Sequence, residues 1–383
     1  MTSPWITPAR SARASAAIGL AALASAACSS ASPAADAGTA DAGAADAGEA
    51  VTASRWRAEE IAVGWSHSCA RLADGSVWCW GSNKHGELGG GDQATILLAR
   101  PTPMEVRGLS GVAELALGGG HTCARMLDGG VRCWGLNENG QLGDGTMTDR
   151  YAPAPVPDLA GVRRIAAGRA ESCAVLGDGS ARCWGGMPAP TRPTRRQPAP
   201  IAWSAAPAPV EGLSGVVAIA LGTAHACALR KDGTVACWGE NGKGQVGDTT
   251  TERRPLPVQV EGVAEAIQVT AWMSSSCALL KGGSVVCWGA AGGTDGVPQA
   301  APELHDVAEI AGACARGADG SVRCRRGARL EVESGDAARI ASGVAHACLI
   351  AAGGEARCWG ANRSGELGDG TRSDHRRPTP VAW

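Results

Sequence analysis

Short apolar runs, most of them closing on glycine, recur along the chain: IAVG (61–64), LALG (115–118), IAAG (165–168), IALG (219–222), IQVTAW (267–272), EIAGA (309–313) and IASG (340–343). Apolar residues alternating with small ones over four to six positions predict strands packed on both faces. After each run comes a near-symmetric segment, seen most cleanly at Gly120–Gly135, GHTCARMLDGGVRCWG. Next follows a polar loop such as NENGQLGDGT (137–146) or NRSGELGDGT (362–371). A Pro-bounded strand, such as TPMEV (102–106) or LPVQV (256–260), completes the unit. Each unit is long enough for about four short strands, the size of a propeller blade.

The symmetric segment has a geometric meaning. Its two cysteines are ten apart in all seven copies: Cys69/Cys79, Cys123/Cys133, Cys173/Cys183, Cys227/Cys237, Cys277/Cys287, Cys314/Cys324 and Cys348/Cys358. Equal arms require an odd-numbered hairpin loop, and the common three-residue form ends on a residue at positive φ. Glycine reaches that conformation without strain, and Gly75, Gly129, Gly179, Gly233, Gly283, Gly320 and Gly354 stand there. Directly opposed cysteines on antiparallel strands lie close enough to join. Seven local disulfides, formed in an oxidising compartment, are therefore expected. Fourteen buried thiols in a reducing cell, or zinc sites, are the alternatives; a pair at this spacing is not the usual zinc knuckle.

Three units are irregular. The third replaces its GQLG loop by a Pro- and Arg-rich insert (187–210). The fifth and sixth are short, and the sixth has Arg325-Arg326 where Trp-Gly is expected. The chain ends on PTPVAW (378–383) with no following IAxG strand, and it opens on IAVG with no preceding Pro-bounded strand. The expectation is an all-β, seven-bladed β-propeller spanning 55–383, closed by both termini, with the last blade sewn from the two ends.

Residues 1–27 read as an export signal: Arg10 and Arg13 precede an apolar, Ala-rich run (14–27) too short to span a membrane comfortably. Cys28, the cysteine outside the seven pairs, sits where a bacterial lipoprotein is acylated. Ser25 occupies the place where Leu is usual, so plain cleavage after Ala26 or Ala27 is the alternative. Residues 28–54 are low-complexity Ala/Asp/Gly with nothing to bury and read as a disordered tether. The formal charge of −2 gives no basic excess to neutralise phosphates, which argues against nucleic acid. With no Phe and one Tyr, aromatic packing falls to the 13 Trp.

From Gly118 to Thr146 the chain carries G-x-x-H-x-C-A-x-x-x-D-G-x-V-x-C-W-G-x-N-x-x-G-Q-L-G-D-G-T, less completely at 64–91, 222–250 and 343–371. In this register it resembles the regulator-of-chromosome-condensation repeat family. The resemblance implies a seven-bladed propeller; no Trp-Asp dipeptide supports WD repeats. The paired cysteines depart from the eukaryotic members and look like an exported bacterial branch.

Chemistry is sparse. His67, His121, His225 and His346 stand two before a first cysteine, where the other copies have Glu171, Ser275 and Gly312. A histidine ring could bind metal or move protons; the reading adopted is that each His ties its blade to a neighbour. The GQLGDGT loops lack a P-loop ending, and Asp144, Asp248 and Asp369 lack a calcium loop. Arg100, Arg150, Arg254 and Arg377 are expected to brace loops. No catalytic constellation, metal or cofactor is expected. The function read is a non-catalytic binding or scaffold propeller, monomeric, at the outer membrane, in the periplasm or outside the cell, holding a protein or glycan, with membrane contact through a lipid anchor at most. Arg192, Arg195, Arg196 and Trp203 of the insert are candidate partner contacts. The chain is also similar to secreted members that inhibit β-lactamases; nucleotide exchange on a small GTPase, as in eukaryotic relatives, is a further alternative.

Overall fold

The computed structural model describes residues 56–383 except 92–98, 187–203, 294 and 327–328. The export signal, Cys28, the tether and Arg192, Arg195, Arg196 and Trp203 all lie outside the described residues. The described chain is all-β, with seven four-stranded antiparallel sheets arranged as the blades of a propeller. Each blade is contiguous in sequence. Blade 1 spans Ala58–Glu105, blade 2 Val112–Pro155, blade 3 Val162–Pro209, blade 4 Val216–Gln259, blade 5 Ala266–Ala300, blade 6 Val307–Ser334 and blade 7 Ala337–Pro380.

The second and third strands form the expected hairpin. In blade 2, Cys123 faces Cys133 and Arg125 faces Val131. Met126 N–H donates to Gly130 O at 2.9 Å and Gly129 N–H to Met126 O at 3.0 Å, closing the three-residue loop Leu127-Asp128-Gly129. Gly129 has φ 81°, and its six counterparts lie between 80° and 89°, the left-handed region that makes this position a glycine. Each of the seven pairs is a disulfide, with Cα atoms 4.0–4.1 Å apart: Cys69–Cys79, Cys123–Cys133, Cys173–Cys183, Cys227–Cys237, Cys277–Cys287, Cys314–Cys324 and Cys348–Cys358. That disposes of the thiol and zinc alternatives for these pairs. The second strand, HTCARM in blade 2, is buried on both faces because it is sandwiched between neighbouring blades.

On the outer side of the second cysteine the expected Pro-bounded strand forms in five blades, but its ladder is not regular. Cys79, Cys133, Cys183, Cys237 and Cys358 pair with Met104, Ala154, Ala208, Val258 and Thr379 of the fourth strand. The glycine two residues on pairs with Arg100, Arg150, Ser204, Arg254 and His375. The fourth strand thus sets three residues against one tryptophan, a bulge between Cys79 and Gly81 and at the four equivalent places. Each bulge holds a proline, Pro103, Pro153, Pro207, Pro257 or Pro378. Proline has no N–H for the ladder and is tolerated on an edge strand at a bulge. Cys287 pairs with Gln299 and Cys324 with Glu331, and the fourth strands of blades 5 and 6 carry no proline.

The first strands surround the propeller axis, and a ring of close backbone contacts closes it. A Cβ on Gly118 would lie 2.5 Å from Gly168 O and 2.1 Å from the ring of its own blade's His121. Gly64 abuts Gly118 O in the same way, Gly168 abuts Gly222 O, and Gly343 abuts Gly64 O. Blade 5 departs: its turn is two residues long, Met273-Ser274, and Met273 O accepts from Thr223 N at 2.9 Å.

The ring is closed where the two ends meet: Trp56 stacks on Trp383 with centroids 5.6 Å apart. The sewing of one blade from both termini does not occur. IAVG pairs within blade 1, and the last strand, His375–Pro380, pairs within blade 7. Closure comes from face packing. Ile61, Leu72 and Trp80 of blade 1 bury against Ile350, Leu367 and Val381 of blade 7. A buried Trp of this kind contributes about 4–6 kcal/mol by area.

Candidate protein-binding face

The four histidines join blades. His67 Nε2 lies 2.8 Å from Thr122 Oγ1, His121 Nε2 2.9 Å from Ser172 Oγ, His225 Nε2 2.8 Å from Ser276 Oγ, and His346 Nε2 2.8 Å from Ser68 Oγ. Each hydroxyl donates onward to a loop carbonyl of the histidine's own blade: Glu87, Gln141, Gln245 and Glu366. A hydroxyl that gives its proton away accepts from the ring, so each imidazole carries its proton on Nε2. The same four carbonyls accept from Trp134, Trp184, Trp288 and Trp80 Nε1 at 2.8–2.9 Å. The result is a three-part clasp across the seams between blades 1 and 2, 2 and 3, 4 and 5, and 7 and 1. Burial holds the imidazoles neutral, with pKa values pulled down to about 3 for His67, His121 and His346 and about 4 for His225. These rings are structural.

In blade 3 the histidine position holds Glu171, 6% exposed, with neither carboxylate oxygen hydrogen-bonded. Burial pushes it up to about 8 against the pull of Arg169, so it is a neutral acid at pH 7. In blade 6 the place of Trp is taken by Arg325. Its Nη1 donates to Ala291 O of blade 5 at 2.6 Å and its Nη2 pairs with Glu303 at 2.8 Å. The guanidinium thus replaces the indole as donor to the preceding blade's loop, a role the sequence marked merely as an irregularity.

The loop aspartates are turn formers. Asp144 Oδ1 accepts from Thr146 N, Thr146 Oγ1 and Asn137 Nδ2, while Arg150 braces its other oxygen at 2.8 Å. Asp248 and Arg254 repeat the arrangement. In blade 7 the place of the bracing arginine belongs to His375 and not Arg377: the register pairs His375 with Gly360, as Arg150 pairs with Gly135. The His375 Nε2 lies 3.0 Å from Asp369 Oδ2, close but not aligned for a hydrogen bond. Among the described residues no group of three or more His, Cys, Asp or Glu could hold a metal ion.

What the fold displays is a face around the axis, formed by the turns between first and second strands and the loops after the third. A depression of about 70 Å³ lies over the ring, lined by Trp65, Leu117, Leu221, Trp272, Met273 and Val344 among others. Beside it a larger one of about 410 Å³ is lined by Trp65, Leu136, Glu138, Asn139 and Arg169. Arg169 Cζ lies 5.5 Å from the centroid of the Trp65 ring, a cation–π contact. Met273 is 53% exposed and Val344 40%. Met273 also holds φ 45°, where a non-glycine residue costs roughly 1–3 kcal/mol. The opposite face carries the hairpin tips, where Asp74, Asp178 and Asp232 accept from the Ser or Thr two residues on. No sequence signal marked the axial face, because its residues come from different blades with no common spacing.

Comparison with known proteins agrees with this architecture. The Regulator of chromosome condensation (RCC1) repeat matches in two forms, one at residues 59–87, 112–141, 216–245 and 337–366, the other at 74–125, 128–175 and 232–279. The human probable E3 ubiquitin-protein ligase HERC3 is 40% identical over 96 residues, which is 24% of this chain and 9% of that protein; the chain thus spans under a tenth of that relative. Human WBSCR16 superposes with a TM-score of 0.69 at 21% identity, covering 80% of this chain and 94% of that one. Yeast RCC1 (Prp20), solved bound to Kap60, superposes with a TM-score of 0.55 at 20% identity, covering 84% and 74%. Identities this low speak to fold alone. The repeat matches together cover more than half of the sequence, and the chain belongs to the RCC1 repeat family.

Proposed function

We propose that this chain is an exported, non-catalytic propeller that binds a protein partner on its axial face. The observation that carries the reading is Met273, an exposed apolar side chain held at positive φ on the rim of a depression that shares Trp65 with the larger one beside it. The positive φ is what the two-residue turn Met273-Ser274 requires; that turn holds the apolar side chain out on the rim instead of folding it into the core. Aromatic, Met and Arg side chains are the types enriched in protein interfaces. A relative of the same fold, yeast RCC1, is solved with a protein partner, which supports a protein over a glycan as the ligand class.

Seven disulfides support an oxidising compartment. We further propose that residues 1–27 direct export and that acylated Cys28, followed by the 29–54 tether, anchors the propeller to a membrane. Intact-mass measurement of the native protein with and without reductant reads both points: an acyl mass on the peptide beginning at Cys28, and a gain of two hydrogens per bridge. The binding reading is tested by photo-crosslinking in the native envelope from position 65 and, on the opposite face, from position 127. Adducts from position 65 that vanish in Met273→Ser are expected. Adducts from position 127 alone would move the site to the other face.

A further inference from the structure

Four clasped seams share a further part, a Gly-(Gln/Glu)-(Leu/Val)-Gly turn in the loop after the third strand: Gly86–Gly89, Gly140–Gly143, Gly244–Gly247 and Gly365–Gly368. In each, the carbonyl of the second residue takes the neighbouring indole N–H. The third residue is buried, with Leu88, Leu142, Val246 and Leu367 at 0–2% exposure. The last glycine lies on the indole: a Cβ on Gly143 would meet Trp184 Nε1 at 2.7 Å, and Cβ atoms on Gly89, Gly247 and Gly368 would crowd Trp134, Trp288 and Trp80 equally. The turn and the tryptophan edge are shaped for each other.

The seam between blades 6 and 7 has the tryptophan without the turn. The third and fourth strands of blade 6 pair down to Arg326 and Arg329, so the sequence leaves two residues between them where the clasped units have about ten or more. Two further parts of the clasp are gone as well. Gly312 occupies the histidine position and Ala347 the hydroxyl position. Trp359 is still there, 2% exposed, and no described residue accepts from its Nε1. What remains is a cleft of about 190 Å³ lined by Cys314, Arg325, Val344, Ala347, Trp359 and Gly360. That exceeds the roughly 150 Å³ that admits a benzene-sized guest. Its lining includes both cysteines of the Cys314–Cys324 bridge, which belong to the same buried cluster as Ile340 and Leu349.

We propose that this cleft is a docking seat for a turn of another protein, a Gly-(Gln/Glu)-(Leu/Val)-Gly segment. The guest's second-residue carbonyl accepts from Trp359 Nε1, its aliphatic third residue enters the cleft, and its last glycine lies against the indole edge. The occupant is defined by the four equivalent seats of this molecule, each filled by that same turn. Trp359 borders the cleft, and a guest carbonyl would replace water as the acceptor of its indole N–H. The inference stands on the seam's geometry and not on the axial-face reading.

The probe is a synthetic peptide with the sequence of residues 137–146, NENGQLGDGT, titrated into the full-length protein while the indole N–H signals are followed by NMR. The Trp359 signal, identified by its loss in Trp359→Phe, is expected to shift saturably in the millimolar range, with the clasped indoles of Trp80, Trp134, Trp184 and Trp288 unmoved. A peptide with Val in place of the glycine after Leu is expected to bind at least tenfold more weakly. Grafting the same ten residues in place of Gly327 and Ala328 fills the seat in cis, and the free peptide then no longer moves Trp359. The double variant Trp65→Ala, Met273→Ser is expected to bind the peptide unchanged. No Trp359 shift at saturating peptide, equal binding of the valine peptide, or loss of binding in that double variant would each overturn the proposal.

Discussion

The seam between blades 2 and 3 and the seam between blades 6 and 7 join sheets of the same kind and differ in almost every other respect. At the first, His121 and Trp184 meet through Ser172 and one carbonyl, Gln141 O, with hydrogen bonds of about 2.9 Å, and Leu142 is buried beneath them. At the second, Gly312, Ala347 and a two-residue connection leave Trp359 over a cleft. Yet blade 6 keeps its disulfide, Cys314–Cys324, as faithfully as blade 2 keeps its own. Stability inside a blade is therefore local, set by the hairpin and its bridge, whereas the strength of each seam is set independently by the loop and its three partners. A propeller built this way can open one seam without surrendering a blade.

The largest expected effect erases the comparison. Each bridge closes a short loop worth roughly 2–3 kcal/mol, so seven are of order 15 kcal/mol, as large as the about 5–15 kcal/mol that holds a typical domain folded. Full reduction is expected to abolish the cooperative thermal transition seen by circular dichroism, blades 2 and 6 alike. A cooperative transition surviving complete reduction would mean that the bridges are incidental.

Acid separates the seams. The histidines' folded pKa values are depressed to about 3–4 from an ordinary 6.5. Unfolding takes up protons below pH 6.5, and the stability they supply, complete above 6.5, is lost as pH falls toward 3. Glu171 runs the other way: raised to about 8 from 4.5, its contribution is complete below 4.5 and lost as pH rises through 8. Between pH 4.5 and 6.5, four imidazoles less Glu171 leave three protons, a slope of about 4 kcal/mol per pH unit toward the upper end. Near 4.5 the slope is made shallower by Glu60 and Glu114, whose carboxyls burial also raises. Urea titrations across that window measure it, and Glu171→Gln is expected to steepen the slope to about 5 kcal/mol per unit. A flat profile would contradict the neutral, buried clasp.

Single substitutions sharpen the contrast further. Ser172→Ala strands His121 Nε2–H and is expected to cost about 1–3 kcal/mol in chemical denaturation. Ala347→Ser at the equivalent place restores a hydroxyl with no loop carbonyl to receive it, and stabilisation is expected only after the ten-residue graft. Equal effects at the two seams would remove the distinction between them.

Much of this was legible in the sequence, for a physical reason. Repetition turns a weak local signal into a register, so the ten-residue cysteine spacing and the glycine before each second arm set the hairpin, its turn and its bridge. The inter-blade role of His67, His121, His225 and His346 was legible for the same reason. The phase of the repeat was not. A Pro-bounded strand followed by an IAxG strand reads equally well as one sheet or as the boundary of two, and the structure puts the boundary there; no blade is sewn from both ends. The outer neighbours of the bridges were hidden too. The bulges beside Cys79, Cys133, Cys183, Cys237 and Cys358 depend on where each proline falls against the third strand, a register that the hairpin spacing does not contain. The brace in blade 7 was misassigned to Arg377 because spacing to proline was followed where register selects His375. The axial face and the role of Arg325, visible in the sequence only as an irregularity, stayed hidden because each depends on residues from several blades meeting in space.

The central claim is that the clasp is complete at four seams and open at the sixth blade's outgoing seam. Hydrogen exchange of the indole N–H groups, followed by NMR in the native protein, tests it most directly. Trp80, Trp134, Trp184 and Trp288 each donate to a buried carbonyl and are expected to exchange slowly, while Trp359 exchanges fast until a guest turn is added. Protection of Trp359 equal to that of the other four in the free protein would contradict the account.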